Sequence, residues 1–279
     1  MNERRIGTIL RGTRVEEGAG VMLRRLFAHA EAGRFDPFLL FDDFGSTDPQ
    51  EYVAGFPWHP HRGIETVTLM LAGRVEHGDS IGNRGTIGPG DVQWMSAGGG
   101  IIHQEMPQAD PVCLRGFQLW VNLPAAHKLT PPRYRGITAA EIPAVAPAPG
   151  VTVKIISGEC GGRRGIVSDL VVPVLYHDVN FSRAVPYTQP VPPTWTGLVY
   201  CYAGQLAIGD TLLTDGELGV LTPGDGVTLQ AQAAATSCLL LAGQPVGEPI
   251  AWDGPIVMNT AAELETAFRE YRNGTFLTA

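Results

Sequence analysis

Gly55-Phe-Pro-Trp-His59-Pro-His61-Arg-Gly-Ile-Glu65 is the stretch on which the reading of this chain turns. Gly90-Asp-Val-Gln-Trp-Met-Ser-Ala-Gly-Gly-Gly-Ile-Ile-His103-Gln-Glu105 answers it further along. His59 and His61 are two residues apart, and so are His103 and Glu105. In an extended strand, residues i and i+2 point to the same face. Each pair therefore offers two donor groups on one side of a strand. If the two strands are neighbours and that side faces inward, three imidazoles and a carboxylate meet.

Working outward, short apolar runs alternate with glycine and proline turns. Val21–Phe27, Phe38–Phe41, Glu65–Leu71, Asp91–Met95 and Leu114–Asn122 read as strands, as do Val151–Ile156, Val171–Tyr176, Gly197–Tyr202, Leu218–Leu221 and Ser237–Leu241. The 35 glycines and 22 prolines are spread along the chain, as a many-turned β protein requires. Residues 126–149 are rich in proline and read as a linker. Two tags recur across it: Thr68–Gly73 resembles Val199–Gly204, and Gly88–Asp91 resembles Thr222–Asp225. Their order suggests a duplicated β domain. Aligned on these tags, Pro190 and Pro192 stand where the first half has His59 and His61. Ser237 and Leu239 stand where it has His103 and Glu105, so only the first copy can bind a metal. Near the end, Thr260 and Glu263 form a capping box for a helix. Leu264, Ala267, Phe268 and Tyr271 share one face of it, and Gly274 stops it.

Of the 279 residues, 44% are hydrophobic and 17% charged, enough for a substantial core. The net charge of -8 argues against a nucleic-acid or anionic-membrane binder. No apolar run has the length of a signal peptide or a membrane helix, and the four cysteines show no CxxC spacing. These features predict a cytoplasmic protein with reduced thiols.

Three nitrogens and one carboxylate suit a divalent transition ion: iron, manganese, cobalt, nickel, copper or zinc. A structural zinc site more often uses cysteine. Trp58, Trp94, Met95 and Phe117 read as packing residues. His77 reads as a solvated loop histidine, while His29, His127 and His177 have no evident partners. Gln118 is a candidate hydrogen-bonding group near the metal.

The two histidine motifs resemble those of the cupin superfamily. His59–Thr68, Gly90–Pro107, Gly116–Pro124, Pro131–Tyr134 and Gly254–Thr260 more narrowly resemble the pirin family. The resemblance implies an all-β fold of two tandem cupin barrels, each a double-stranded β-helix or jelly roll, with a short C-terminal helix. It implies a metal-binding domain over 1–125 and, after the linker, a domain without metal ligands over 150–279. It implies ligation by His59, His61, His103 and Glu105, with iron(II) the foremost metal and Glu105 also the catalytic base. Glu65, which strand alternation points inward, is then expected beside the ligands, orienting a histidine. Two functions follow from the resemblance. One is a flavonol dioxygenase of the quercetin 2,3-dioxygenase kind. The other is an iron-dependent regulatory protein that binds a transcription factor or a metabolic enzyme.

Overall fold

The computed structural model describes residues 2–277. The chain divides into two compact units that are not contiguous in sequence. One comprises residues 13–139 and 246–279, the other 1–12 and 140–245. Each is built from a seven-stranded and a four-stranded antiparallel sheet.

In the first unit the larger sheet runs Arg133–Ile137, Val92–Ser96, Ile64–Ala72, Leu114–Asn122, Phe38–Ser46, Val21–Phe27, Thr13–Glu17. The smaller sheet runs Phe56–His61, Ile101–Pro107, Val75–Asp79, Arg84–Ile87. Alternation along these strands decides their faces. Leu23, Phe44, Met70 and Leu114 of the larger sheet pack on Val75 and Ile87 of the smaller. Ile64 and Met95 pack on Ile101. Each such side chain, fully buried, contributes about 1.5–3 kcal/mol. A one-residue slip would turn the whole set outward, so burial pins the register.

The second unit repeats the plan. Its larger sheet runs Ile6–Leu10, Glu217–Leu221, Thr196–Ala203, Thr236–Gly243, Val174–Phe181, Val151–Ser157, Ala144–Ala148. Its smaller sheet runs Pro186–Pro190, Gly226–Ala231, Gln205–Ile208, Thr211–Thr214. The core lies between them, with Val153, Val179, Val199 and Leu240 against Tyr187, Leu206, Val227 and Leu229.

The duplication therefore holds, but three expectations change. First, the division at 1–125, 126–149 and 150–279 differs from the packing. Ile6–Leu10 supplies an edge strand to the second unit, and residues 246–279 return to the first. The proline-rich stretch is not a bare linker, because Arg133–Ile137 and Ala144–Ala148 are edge strands, where missing N–H groups are tolerated. Second, the later tag does not mark equivalent places. Gly88–Asp91 precedes Val92–Ser96, whereas Thr222–Asp225 follows the corresponding strand Glu217–Leu221. Third, the second unit's counterparts of the histidine strands are Pro186–Pro190 and Gly226–Ala231. Their inward residues are Tyr187, Gln189, Val227 and Leu229, not Pro190, Pro192, Ser237 and Leu239.

The returning tail forms the pair Ala251–Asp253 and Ile256–Met258, then the helix Ala261–Arg272. Thr260 caps the helix with both bonds of the box made to Glu263. Ala267, Leu264 and Phe268 pack on Ile256, Met258 and Ile102. Tyr271 is more exposed than its helical position suggested and lies edge-on to Phe276.

Candidate metal centre

Strand Phe56–His61 pairs with Ile101–Pro107 so that His103 stands directly opposite His59 and Ile101 opposite His61. The three histidine rings have centroids 4.4–5.0 Å apart. One ring nitrogen from each lies within 4.8 Å of the others, and this is the one His/Cys/Asp/Glu group of that kind among the described residues.

The tautomers follow from their partners. His59 Nδ1 donates to the Pro57 carbonyl at 2.8 Å, and His61 Nδ1 donates to the Pro255 carbonyl at 3.0 Å. A carbonyl only accepts, so in a neutral ring the lone pair sits on Nε2. Burial holds all three rings in that neutral form. It keeps His59 below the usual histidine value even though the Pro57 carbonyl favours the proton. Burial, helped by His59, takes His61 down to about 3. His103 falls well below the usual value through burial and then the neighbouring His61, His59 and His77.

Two Nε2 atoms with lone pairs thus face each other at 3.1 Å. That contact is repulsive unless something positive lies between them. Two nitrogens about 2.1 Å from one ion, at a right angle, are about 3 Å apart. Both ring nitrogens of His103 are buried without a hydrogen-bond partner, a costly arrangement in an apolar interior. The donor set fits a divalent transition metal.

Glu105 lies beside this triad but outside the close group. A shift in register between His103 and Glu105 sets it opposite Phe56 on one side, and it faces His77 on the other. The Thr68 hydroxyl sits 3.2 Å from Glu105 Oε1 and 2.6 Å from Gln118 Oε1. Burial pushes the Glu105 carboxyl up to about 7, against the opposing effect of Thr68. Gln118 is therefore close to the site, as its sequence position suggested.

Two other expectations are corrected. Glu65 points to the opposite face of its strand, where its carboxylate accepts from Trp94 Nε1 at 3.1 Å and Ser96 Oγ at 2.5 Å. That face is turned away from the histidine cluster, because the bend at Gly63 resets the alternation between His61 and Ile64. His77 is no loop residue. It is buried in Val75–Asp79, stacks on Tyr134, and has its Nε2 2.5 Å from the Tyr134 hydroxyl. Trp94, Met95 and Phe117 are core residues, whereas Trp58 is half exposed.

Several supporting residues escaped the sequence reading. Lys128 is buried and its Nζ donates to the Gly63 carbonyl, Asn122 Oδ1 and the Val257 carbonyl at 2.7–3.1 Å. Arg62 donates to Glu270 and to the Phe276 carbonyl, tying the helix to the histidine strand. Trp120 meets the His61 ring edge-on at 5.0 Å. At Gly63 the backbone is left-handed, and a Cβ would lie 1.9 Å from the Val257 carbonyl oxygen, so only glycine fits. Local motifs miss the contacts with Val257, Glu270 and Phe276, because these residues come from the far end of the chain.

His59, His61 and Glu105 line a cavity of about 680 Å³, together with Thr68, Gln118, Trp120 and Trp252, and His103 is buried behind them. A volume of that size accommodates a small organic ligand.

A family model described as Pirin matches residues 20–121, and another, Pirin C-terminal cupin domain, matches residues 176–277. The chain belongs to the pirin family. This pirin is 45% identical over 271 residues to a pirin-like protein of Caulobacter vibrioides, covering 96% of this chain and 97% of that one. It is 40% identical over 263 residues to the pirin of Homo sapiens, covering 92% and 88%. The crystal structure of a quercetin 2,3-dioxygenase from Acinetobacter baumannii superposes with a TM-score of 0.91 at 35% identity, covering 98% of each chain. The two β-rich units thus match cupin-fold relatives. Among the described residues, no helix is long and apolar enough to cross a membrane.

Proposed function

We propose that this pirin is a metal-dependent dioxygenase that opens flavonols such as quercetin with dioxygen. The observation that carries the reading is a neutral histidine triad, two of whose rings line a ligand-sized cavity. The likeness to a solved quercetin 2,3-dioxygenase supports it. His59, His61 and His103 hold the ion, iron(II) foremost, and Glu105 is its fourth ligand. Each sandwich is a cupin barrel, and only the first carries metal. When bound, the ion supplies Lewis acidity toward a hydroxyl oxygen of the flavonol. The chain's own groups do the rest. Glu105, left as a carboxylate once the ion has displaced its proton, accepts the proton of that hydroxyl. Thr68 hydrogen-bonds the carboxylate and fixes its direction. The Pro57 and Pro255 carbonyls fix the ring planes of His59 and His61, as outer partners of ligating histidines do. The four cysteines are free thiols, which suits the cytoplasm.

Metal analysis of the purified protein, followed by aerobic quercetin turnover with that metal, tests the reading. Loss of quercetin that needs oxygen, stops with a chelator and vanishes in His103→Ala is the expected result. Turnover no faster than that of His103→Ala refutes it. The regulatory alternative predicts instead a protein partner recovered with iron in only one oxidation state.

A further inference from the structure

One inner-face row of the larger sheet in the metal-binding unit is polar. Gln118 stands opposite Thr68 on one side and opposite Asp42 on the other, and Asp42 stands opposite Arg25. All four line the cavity, as does Glu17. The rows on either side are mainly apolar: Gly116, Phe44 and Leu23 on one, Trp120 and Leu40 on the other. The row passes the metal centre, where Thr68 touches Glu105. Asp42 lies two strand spacings from Thr68, about 10 Å, and Arg25 three spacings, about 14 Å. The cavity floor is therefore a polar strip between greasy rails, anchored at both ends. Its span matches the long axis of a three-ring phenol.

The far end is a built hydrogen-bonding group. Arg25 Nε and Nη2 donate to the two oxygens of Asp42 at 2.9 and 2.8 Å, and Nη1 donates to Glu17 at 2.5 Å. These contacts use three of the five N–H groups of Arg25, and each Asp42 oxygen has a second lone pair. A strand staple alone needs no such group here, because a buried ion pair is often no better than well-packed apolar side chains. Two carboxylates to one guanidinium give the cluster a formal excess of negative charge. It repels an acid and suits a neutral hydroxyl, which donates to a carboxylate and accepts from the guanidinium.

We propose that the Glu17–Arg25–Asp42 cluster is the recognition site for the distal hydroxyl groups of the planar phenol whose other end reaches the metal. This rests on the flavonol reading above and extends it to substrate selection. Phenols hydroxylated at the end remote from the metal-binding oxygens bind best, and those without such hydroxyls bind weakly despite being more apolar.

The test is anaerobic calorimetric titration of the metal-loaded protein with quercetin and with 3-hydroxyflavone, which keeps the metal-binding oxygens but lacks the distal hydroxyls. Wild-type protein should bind quercetin at least about tenfold more tightly, the effect of one hydrogen bond to a charged group. Asp42→Asn should erase most of that preference while 3-hydroxyflavone affinity holds. The double variant Arg25→Met/Asp42→Leu, which leaves only the partly exposed Glu17 carboxylate without its partner, should do the same. Metal content and melting temperature identify any variant that has not folded, and the wild-type comparison stands without them. Equal binding of the two flavonols to wild type, or a preference that survives in folded variants, overturns the cluster's role and leaves the flavonol reading intact. Absence of quercetin binding to wild type overturns both.

Discussion

Metal affinity should rise about tenfold between pH 6 and pH 8 when Glu105 is the fourth ligand. The three histidines contribute little to that slope, because burial already keeps them neutral, His61 down to about 3. Glu105 is the exception, its carboxyl pushed up to about 7 by burial. An ion that needs the carboxylate must displace its proton, so apparent affinity follows the ionised fraction, roughly 9% at pH 6 and roughly 91% at pH 8. Chelator competition at fixed pH measures the slope. Calorimetry in buffers of different ionisation heat counts the proton released. Glu105→Gln should bind more weakly and lose the slope. A flat wild-type curve, or a slope that survives in Glu105→Gln, refutes the assignment. Folding stability without metal runs the other way. The folded chain holds this proton more tightly than the unfolded chain, whose ordinary value is 4.5. The stability it contributes is complete below pH 4.5 and is lost as pH rises through 7, at most roughly 3 kcal/mol.

Lys128→Met should destabilise the metal-binding unit by about 3 kcal/mol in denaturant titration, since it strips three buried acceptors of their donor. It should also weaken metal binding by about tenfold, because Gly63 and Val257 border the segments that hold His61. A loss confined to within about 0.5 kcal/mol, with metal affinity unchanged, contradicts the role given to this ammonium. Arg62→Met should cost about 2 kcal/mol and speed hydrogen exchange throughout Ala261–Arg272, because it releases Glu270 and the Phe276 carbonyl. Unchanged exchange in that helix would show that its apolar face alone holds it.

The histidine spacing, the strands and the capped helix were legible because each depends on local periodicity. A strand puts i and i+2 on one face wherever it lies, and Thr260 and Glu263 make their box within one turn. Errors arose where one local break changes everything after it. The turn at Arg62-Gly63 reverses the face of Glu65. The second Pro-Gly-Asp tag repeats a turn chemistry rather than a position, so alignment on it places the counterparts of His103 and Glu105 one strand too late. His77 resembles a loop residue in sequence because glycine and asparagine turns surround its buried strand, and its stacking partner Tyr134 lies on a strand distant in sequence.

The residues alone mark this chain as a duplicated, β-rich member of the pirin family with a histidine cluster in its first copy. Those facts lie in residue types, short spacings and a long motif match. Packing in three dimensions joins Ile6–Leu10 to the later unit and returns the tail to the earlier one. It alone brought the Pro255 carbonyl to His61, the Val257 carbonyl to Lys128, and Arg25 and Asp42 to the cavity shared with Glu105. Long loops close at little extra cost in chain entropy, so a buried polar group takes its partner from any part of the chain, and no local pattern records which.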